Sequence, residues 1–166
     1  MNSKILEKAQ QAVSLLKENG LKIATAESCT GGMVSSYITA VSGASQVFEL
    51  GVTSYSNEIK NRILNVNSQT LESLGAVSEN TAKEMAINVR NLAKADIGVS
   101  VTGVAGPTMQ EGHPVGTVFV GFSHKNTTFA QKLCIPPKDR NFVREQAVLA
   151  LLCAIIKYVN NLSKEK

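Results

Sequence analysis

The sequence predicts an α/β fold, a three-layer α/β/α sandwich built on a mixed, mostly parallel sheet. Two observations lead there. Helix-like stretches alternate with single β-like runs as far as Thr102, and the chain then closes with two consecutive β-like runs and one long helix. Such alternation makes parallel crossovers, while the closing hairpin adds an antiparallel edge or insertion. At 166 residues the chain is long enough to bury a real core and has the size of one ordinary domain, so a single domain over 1–166 is expected.

The elements follow in order. Ile5, Leu6, Ala9, Ala12, Val13 and Leu16 recur at helical spacing, and Asn19-Gly20 stops them. Ile23-Ala24 then reads as a short strand, T-A-E-S-C-T-G-G at 25–32 as a tight turn, and Val34, Tyr37, Ile38 and Val41 as the stripe of a second helix. A loop at 42–45 opens a β-like run over 47–55. Asn57 can cap a short helix through Leu64, and Ser68 a second through Leu74 that Gly75 stops. Ser78 can cap a longer helix whose Ala82, Met85, Ala86, Val89, Leu92 and Ala93 share a face. Asp96 opens a strand over 97–102, followed by the glycine loop T-G-V-A-G-P at 102–107. Runs at 115–122 and 127–135 flank the polar turn His124-Lys125-Asn126 as an antiparallel hairpin. Asp139 can cap the last helix, where Arg140, Arg144 and Gln146 precede a continuous apolar run at 147–156. That run is too short for a bilayer, which takes roughly 20 residues, so it predicts a buried helix or a subunit interface and no membrane span.

Composition excludes several classes. The net charge of +4 is dispersed and Trp is absent, so no basic stripe with interleaved aromatics marks a nucleic-acid surface; an anionic small molecule suits the same balance. Cys29, Cys134 and Cys153 are far apart, and the opening Met1-Asn2-Ser3-Lys4 has no hydrophobic signal, which points to a reducing cytoplasm. There is no C-x-x-C or H-x-x-x-H, and His113 and His124 stand apart, so no metal is expected.

The turn at 25–32 carries the candidate chemistry. A small nucleophile there would sit on the rim of the sheet, with the free N–H groups of the next helix ready to hold negative charge. Ser28, Cys29 and Thr30 are the candidates. They also read as a helix cap at Ser28 or Thr30 and a small buried apolar residue at Cys29, with Gly31 and Gly32 allowing close packing. Ligands of doubly wound sheets sit beyond the carboxyl ends of the strands, which would bring the Ser28, Tyr55 and Thr102 turns together.

A serine, a tyrosine and a lysine in one pocket can attack a carbonyl carbon. No Ser-His-Asp set is at hand, because His113 and His124 lie in or beside a loop and a hairpin turn. The base is then Lys60, or Tyr55 polarised by Lys60. Lowering an amine from about 10.4 to about 7 or 8 costs roughly 4 kcal/mol and requires burial or positive neighbours, with no close carboxylate. Glu27 is the obvious threat, yet adjacent residues of an extended strand point to opposite faces, so Glu27 and Ser28 should not share the pocket. Tyr55 and Lys60 also read as a half-buried strand residue and a solvated helix charge. The turn at 103–107 could cradle a phosphate with its N–H groups.

These residues form a familiar set. A-E-S-C-T-G-G from Ala26, Y-S-N-E-I-K from Tyr55, G-A-V-S from Gly75, and G-V-A-G-P with P-V-G-T-V within 103–118 together resemble the C-terminal domain family of the competence/damage-inducible protein CinA. The similarity runs from residue 21 to residue 154. It implies a CinA-like three-layer fold, homo-oligomers, and no cofactor. It also implies an amidohydrolase for a linear carboxamide, converting nicotinamide mononucleotide to nicotinate mononucleotide and ammonia in pyridine-nucleotide recycling.

In that resemblance Ser28 is the nucleophile, assisted by Tyr55 and Lys60, and N–H groups at the start of the next helix receive the oxyanion. Substrate contacts are expected from Cys29, Thr30, Gly31 and Gly32, from Asn57, and from Thr102, Gly103, Ala105 and Gly106, with Arg140 helping to hold the phosphate. Longer members carry a separate N-terminal pyrophosphatase-like domain to which the similarity does not extend, so none of its activity or metal is expected.

Two loops depart from the family pattern. Many members have a glycine-rich acidic loop and a lysine before P-V-G-T, where this chain reads Thr108-Met109-Gln110-Glu111-Gly112-His113; many have G-D-R where it reads Lys138-Asp139-Arg140. Three rival readings stand beside the hydrolase: a non-catalytic nucleotide-binding or regulatory module, a Cys29 nucleophile, and an oligomeric partner acting through the last helix.

Overall fold

The computed structural model describes residues 1–164. In chain order the elements are α1 (Ser3–Glu18), β1 (Ile23–Glu27), α2 (Met33–Thr39), β2 (Phe48–Thr53), α3 (Asn57–Leu64), α4 (Ser68–Leu74), α5 (Glu79–Ala93), β3 (Ile97–Gly103), β4 (Thr117–His124), β5 (Thr127–Cys134) and α6 (Arg140–Lys164). The five strands form one sheet in the order β2-β1-β3-β4-β5. β1 pairs in parallel with both β2 and β3, whereas β3–β4 and β4–β5 are antiparallel. The three-layer α/β sandwich expected from the alternation is therefore present. The closing hairpin is more than an edge: β4 is buried along its whole length, and only β5 is left at the rim.

Strand alternation sorts the layers. Ile23, Ile97, Val99, Val101, Val118, Val120 and Phe122 face the core shared with α1, α2 and α6. On the opposite face Ala24 and Ala26 meet Leu64, Leu71, Met85 and Val89 from α3, α4 and α5. The apolar run near the C-terminus is largely explained by this packing, since Val143, Ala147, Val148, Leu151, Leu152, Ile155 and Val159 are buried at helical spacing. Among the described residues no helix is long and apolar enough to cross a membrane.

Helix α5 lies unusually close to the sheet because glycines face it. A Cβ built on Gly98 would overlap the Ala86 carbonyl oxygen and come within 2.6 Å of Arg90 Cβ, and one on Gly121 would overlap the Ala82 carbonyl. Ser100 Oγ, between them on the same face, donates to Ala82 O at 2.6 Å. Because the obstacle is helix backbone, it cannot give way as a side chain would. Gly98→Ala is expected to cost about 3 kcal/mol, read as a melting temperature lower by roughly 10 °C.

Two helix starts differ from the sequence reading. Ser56, not Asn57, caps α3 by accepting from Ile59 N–H, and Asn67, not Ser68, caps α4 by accepting from Gln69 N–H. In each case two adjacent polar residues were available, and the earlier one takes the extended cap conformation or its equivalent. Ser78 caps α5 as expected. Asp139 does the same for α6, accepting from Phe142 N–H at 2.9 Å.

The chain leaves β1 towards β2 on one side and returns to β3 on the other. This strand order places its switch point at the carboxyl ends of β1 and β3, where open α/β sheets leave a crevice. Ser28 N–H extends the β1–β3 ladder by one bond, donating to Val101 O at 2.9 Å, and Ser54 N–H donates to Glu27 O at 2.8 Å. The first residue after β1 is thus pinned at the mouth of that crevice.

Candidate active site

A cleft of about 290 Å³ occupies the switch point, lined by Ser28, Cys29, Tyr55, Asn57, Lys60, Gly103, Ala105, Gly106 and Arg140 among others. These are nine of the residues singled out from the sequence. The remaining four lie outside it. Thr102 is buried beneath the cleft, where its hydroxyl donates to Ala76 O at 2.7 Å. Thr30, Gly31 and Gly32 shape the Ser28 turn without lining the cavity. Ala76, Val77, Val104, Thr108, Met109 and Gln110 also line it; they lie in the G-A-V-S motif, the 103–107 turn and the loop that departs from the family pattern, but the sequence reading does not single them out as site residues. Val77 and Val104 are apolar residues in connections, and the departure at 108–113 marks a changed loop without saying which of its residues reach the cleft.

The centre of the cleft is a serine–lysine contact. Lys60 is 1% exposed, and its Nζ donates to Ser28 Oγ at 3.0 Å and to Ser54 O at 2.8 Å. With the Ser54 carbonyl holding one N–H, the amine is fixed in direction as well as distance. Burial pushes its pKa down from 10.5 to about 8, while Cys29 and Glu111 act weakly in the opposite sense. Lys60 is therefore a poised amine in place of a solvated helix charge.

Tyr55 sits differently. It is 62% exposed, and its hydroxyl accepts from Arg140 Nη2 at 2.6 Å; the other Arg140 nitrogen donates to Gly106 O. The expected Tyr55–Lys60 pair is thus replaced by a Tyr55–Arg140 pair, because α6 starts close to the end of β2. Arg140 links the tyrosine to the glycine loop and sets a positive charge on the cleft wall.

Glu27 faces away from the cleft, as strand alternation requires, and its carboxylate fills the start of α2. Oε2 accepts from Thr30 Oγ1 at 2.7 Å, Gly32 N–H at 3.1 Å and Val34 N–H at 3.0 Å. Oε1 accepts from Ser35 N–H at 2.8 Å and Ser35 Oγ at 2.7 Å. This corrects the expectation that the helix start receives an oxyanion: those donors are already satisfied. On the turn's other side Arg144 Nη2 donates to Thr30 O at 2.8 Å. The Ser28 turn is held from both sides, by Glu27 within it and by Arg144 from α6.

Cys29 lines the cleft next to the nucleophile candidate, and burial pushes its thiol up to about 12, with Glu27 adding to the rise. A thiol held there stays protonated at neutral pH and is a poor nucleophile. Neither histidine reaches the cavity. His124 is buried and its Nδ1 lies 3.2 Å from Tyr158 Oη, while the His113 ring packs edge-on to Phe119. Among the described residues no group of three or more His, Cys, Asp or Glu side chains could hold a metal ion.

Comparison with known proteins agrees with this architecture. The family model of the CinA C-terminal domain matches residues 6–159. A protein of Thermoanaerobacter sp. (strain X514), named for competence and damage induction, is 51% identical over 154 residues, covering 92% of this chain and 37% of its own length. A CinA-like protein of Kosmotoga olearia is 48% identical over 141 residues, covering 84% of this chain and 34% of its own. The chain thus spans little more than a third of the length of these curated relatives. Among solved structures, a CinA superfamily protein from Klebsiella pneumoniae 700603 superposes with a TM-score of 0.92 at 31% identity, covering 97% of this chain and 99% of the other. A competence/damage inducible protein from Agrobacterium tumefaciens gives 0.90 at 33%, covering 95% and 96%. By sequence and by fold, the chain belongs to the CinA C-terminal domain family.

Proposed function

We propose that this chain is an amidohydrolase that converts nicotinamide mononucleotide to nicotinate mononucleotide and ammonia by way of an acyl-serine. The observation that carries the reading is the buried Lys60 amine 3.0 Å from Ser28 Oγ at the base of a cleft. A neutral amine at that distance is a general base for a serine hydroxyl.

In the acylation step Lys60 takes the Ser28 Oγ proton as Oγ bonds to the carboxamide carbon. The tetrahedral oxyanion is met by N–H groups of the Ser28 turn. Those of Cys29 and Thr30 donate to no other residue among the described hydrogen bonds, unlike the α2 start, which Glu27 occupies. A well-aimed donor is worth about 3 kcal/mol in such a position. Collapse of the intermediate breaks the C–N bond, and Lys60 returns its proton to the departing nitrogen, which leaves as ammonia. Water then attacks the ester with Lys60 again as base, releasing the carboxylate and restoring Ser28. The nucleotide's phosphate lies by the 103–107 turn with Arg140 as its cation, and Tyr55 orients Arg140. The free thiols of Cys29, Cys134 and Cys153 suit a reducing cytoplasm.

Ammonia release from nicotinamide mononucleotide tests the reading. Ser28→Ala is expected to lose about 10⁴-fold or more in kcat/KM, and Cys29→Ala to keep most of it. The reverse ranking would move the nucleophile to Cys29. A wild-type protein whose melting temperature rises with the nucleotide while no ammonia appears would be a binding module instead.

A further inference from the structure

The loop between β3 and β4 contains a turn that breaks a local rule. Gln110 and His113 exchange both backbone bonds, Gln110 N–H to His113 O at 3.2 Å and His113 N–H to Gln110 O at 2.8 Å, closing a two-residue hairpin. Its central residues, Glu111 and Gly112, have φ of 51° and 75°. Both central positions of such a turn take positive φ, which favours Asn, Asp or Gly at the first of them. Glutamate has neither the short side chain nor the freedom that the position rewards.

What the glutamate does there is visible at its far end. Its Oε2 accepts from Val77 N–H at 2.9 Å, across 34 residues of sequence, at the junction between α4 and α5. Gly75 makes room for it, since a Cβ at that position would overlap the Glu111 carboxylate. The residues just before the turn, Thr108, Met109 and Gln110, line the cleft, and so does Val77. An unfavourable backbone choice at a site wall, repaid by one long-range contact, is the pattern of a functional constraint.

We propose that Glu111 is a positioning residue: by tying the 110–113 turn to the α4–α5 junction, it holds Thr108, Met109 and Gln110 as one wall of the cleft and so shapes the site for its substrate. Glu111 makes no hydrogen bond to Ser28 or Lys60, so the latch itself acts on binding; the weak pull of its charge on the Lys60 amine is removed equally by Glu111→Asn and Glu111→Gln, and the comparison of those two isolates the latch. The kinetic part of the test rests on the hydrolase reading; the structural part does not.

Glu111→Asn separates the two roles. Asparagine suits the turn better than glutamate but is too short to reach Val77 N–H. Glu111→Gln keeps both reach and an acceptor. Expected for Glu111→Asn are a melting temperature at or above that of the wild type, faster amide exchange at Val77 and over 108–110, and a KM for nicotinamide mononucleotide raised roughly fivefold with kcat little changed. Glu111→Gln should stay near the wild type on all three. Unchanged exchange in the Asn variant, an unchanged KM, a loss in kcat alone, or identical behaviour of the two variants would each overturn the proposal. If the wild type releases no ammonia, the hydrolase reading falls, and the latch is then decided by exchange at Val77 and by the melting temperatures.

Discussion

Lys60→Met is expected to abolish turnover and, at neutral pH, to make the protein more stable. Both effects come from the same burial. Among the described residues Lys60 carries the only amine at hydrogen-bond distance from Ser28 Oγ, and its loss should lower kcat/KM by about 10³-fold or more. Holding that amine at about 8 in the folded state against an ordinary 10.5 costs about 3 kcal/mol at pH 7. Methionine fills similar space without the charge. It leaves the Ser54 carbonyl without the Lys60 donor, which takes back roughly 1–2 kcal/mol. The net gain is about 1–2 kcal/mol, a melting temperature higher by roughly 4 °C.

The pH dependence carries the sign of the argument. Below about 8 the lysine is protonated in both states, and the folded protein bears the whole cost. Between about 8 and 10.5 only the unfolded chain holds the proton, so wild-type stability rises with pH relative to the variant and levels off above 10.5. The stability difference between the two proteins should therefore shift by about 3 kcal/mol from pH 7 to pH 10.5, from about 1–2 kcal/mol in favour of the variant to about 1–2 kcal/mol in favour of the wild type. Wild-type kcat/KM should climb tenfold per pH unit at first and flatten above about pH 8. Parallel melting curves across that range would show that Lys60 is not a buried amine of lowered pKa, and the base would have to be sought elsewhere.

The sequence makes the serine turn legible, and hides the burial of its base. Strand–turn–helix punctuation and helix–strand alternation are local signals, so β1, β3, the crossovers and the closing hairpin can all be read before any contact is known. Helix α3 cannot. Its pattern invites burial of Ile59 and Ile63, yet Ile63 is 44% exposed while Lys60 and Leu64 form the buried stripe. The helix is turned by the Ser56 cap and by what Lys60 finds beneath it, Ser28 Oγ and Ser54 O, which are contacts made only in the folded chain. Tyr55 fails in the same way: its partner Arg140 is 85 residues off, and periodicity says nothing about such a pairing. Glu111 was visible only as a residue in a loop that departs from the family pattern, since its meaning depends on Val77 and on the backbone angle it adopts.

Glu27→Gln should be among the most damaging single-atom changes the chain can take, although Glu27 touches neither cleft nor substrate. Its two oxygens divide five donors between them, with Thr30 Oγ1, Gly32 N–H and Val34 N–H on one and both Ser35 donors on the other. The hydroxyls of Thr30 and Ser35 can rotate and accept instead. The backbone N–H groups cannot. Whichever way a glutamine amide is turned, its NH₂ faces a backbone donor, Ser35 N–H in one orientation and those of Gly32 and Val34 in the other. Each such clash leaves a buried donor unsatisfied at about 1–3 kcal/mol, so a loss of roughly 3–4 kcal/mol is expected, with the melting temperature down by about 10 °C. Ser28 would shift with the turn, and a displacement near 1 Å is enough to cost about 10²-fold in rate. Melting and ammonia release on the one variant test both halves. A Glu27→Gln protein that melts with the wild type would mean the carboxylate is not what organises the turn, and Arg144 on Thr30 O would be left as its main support.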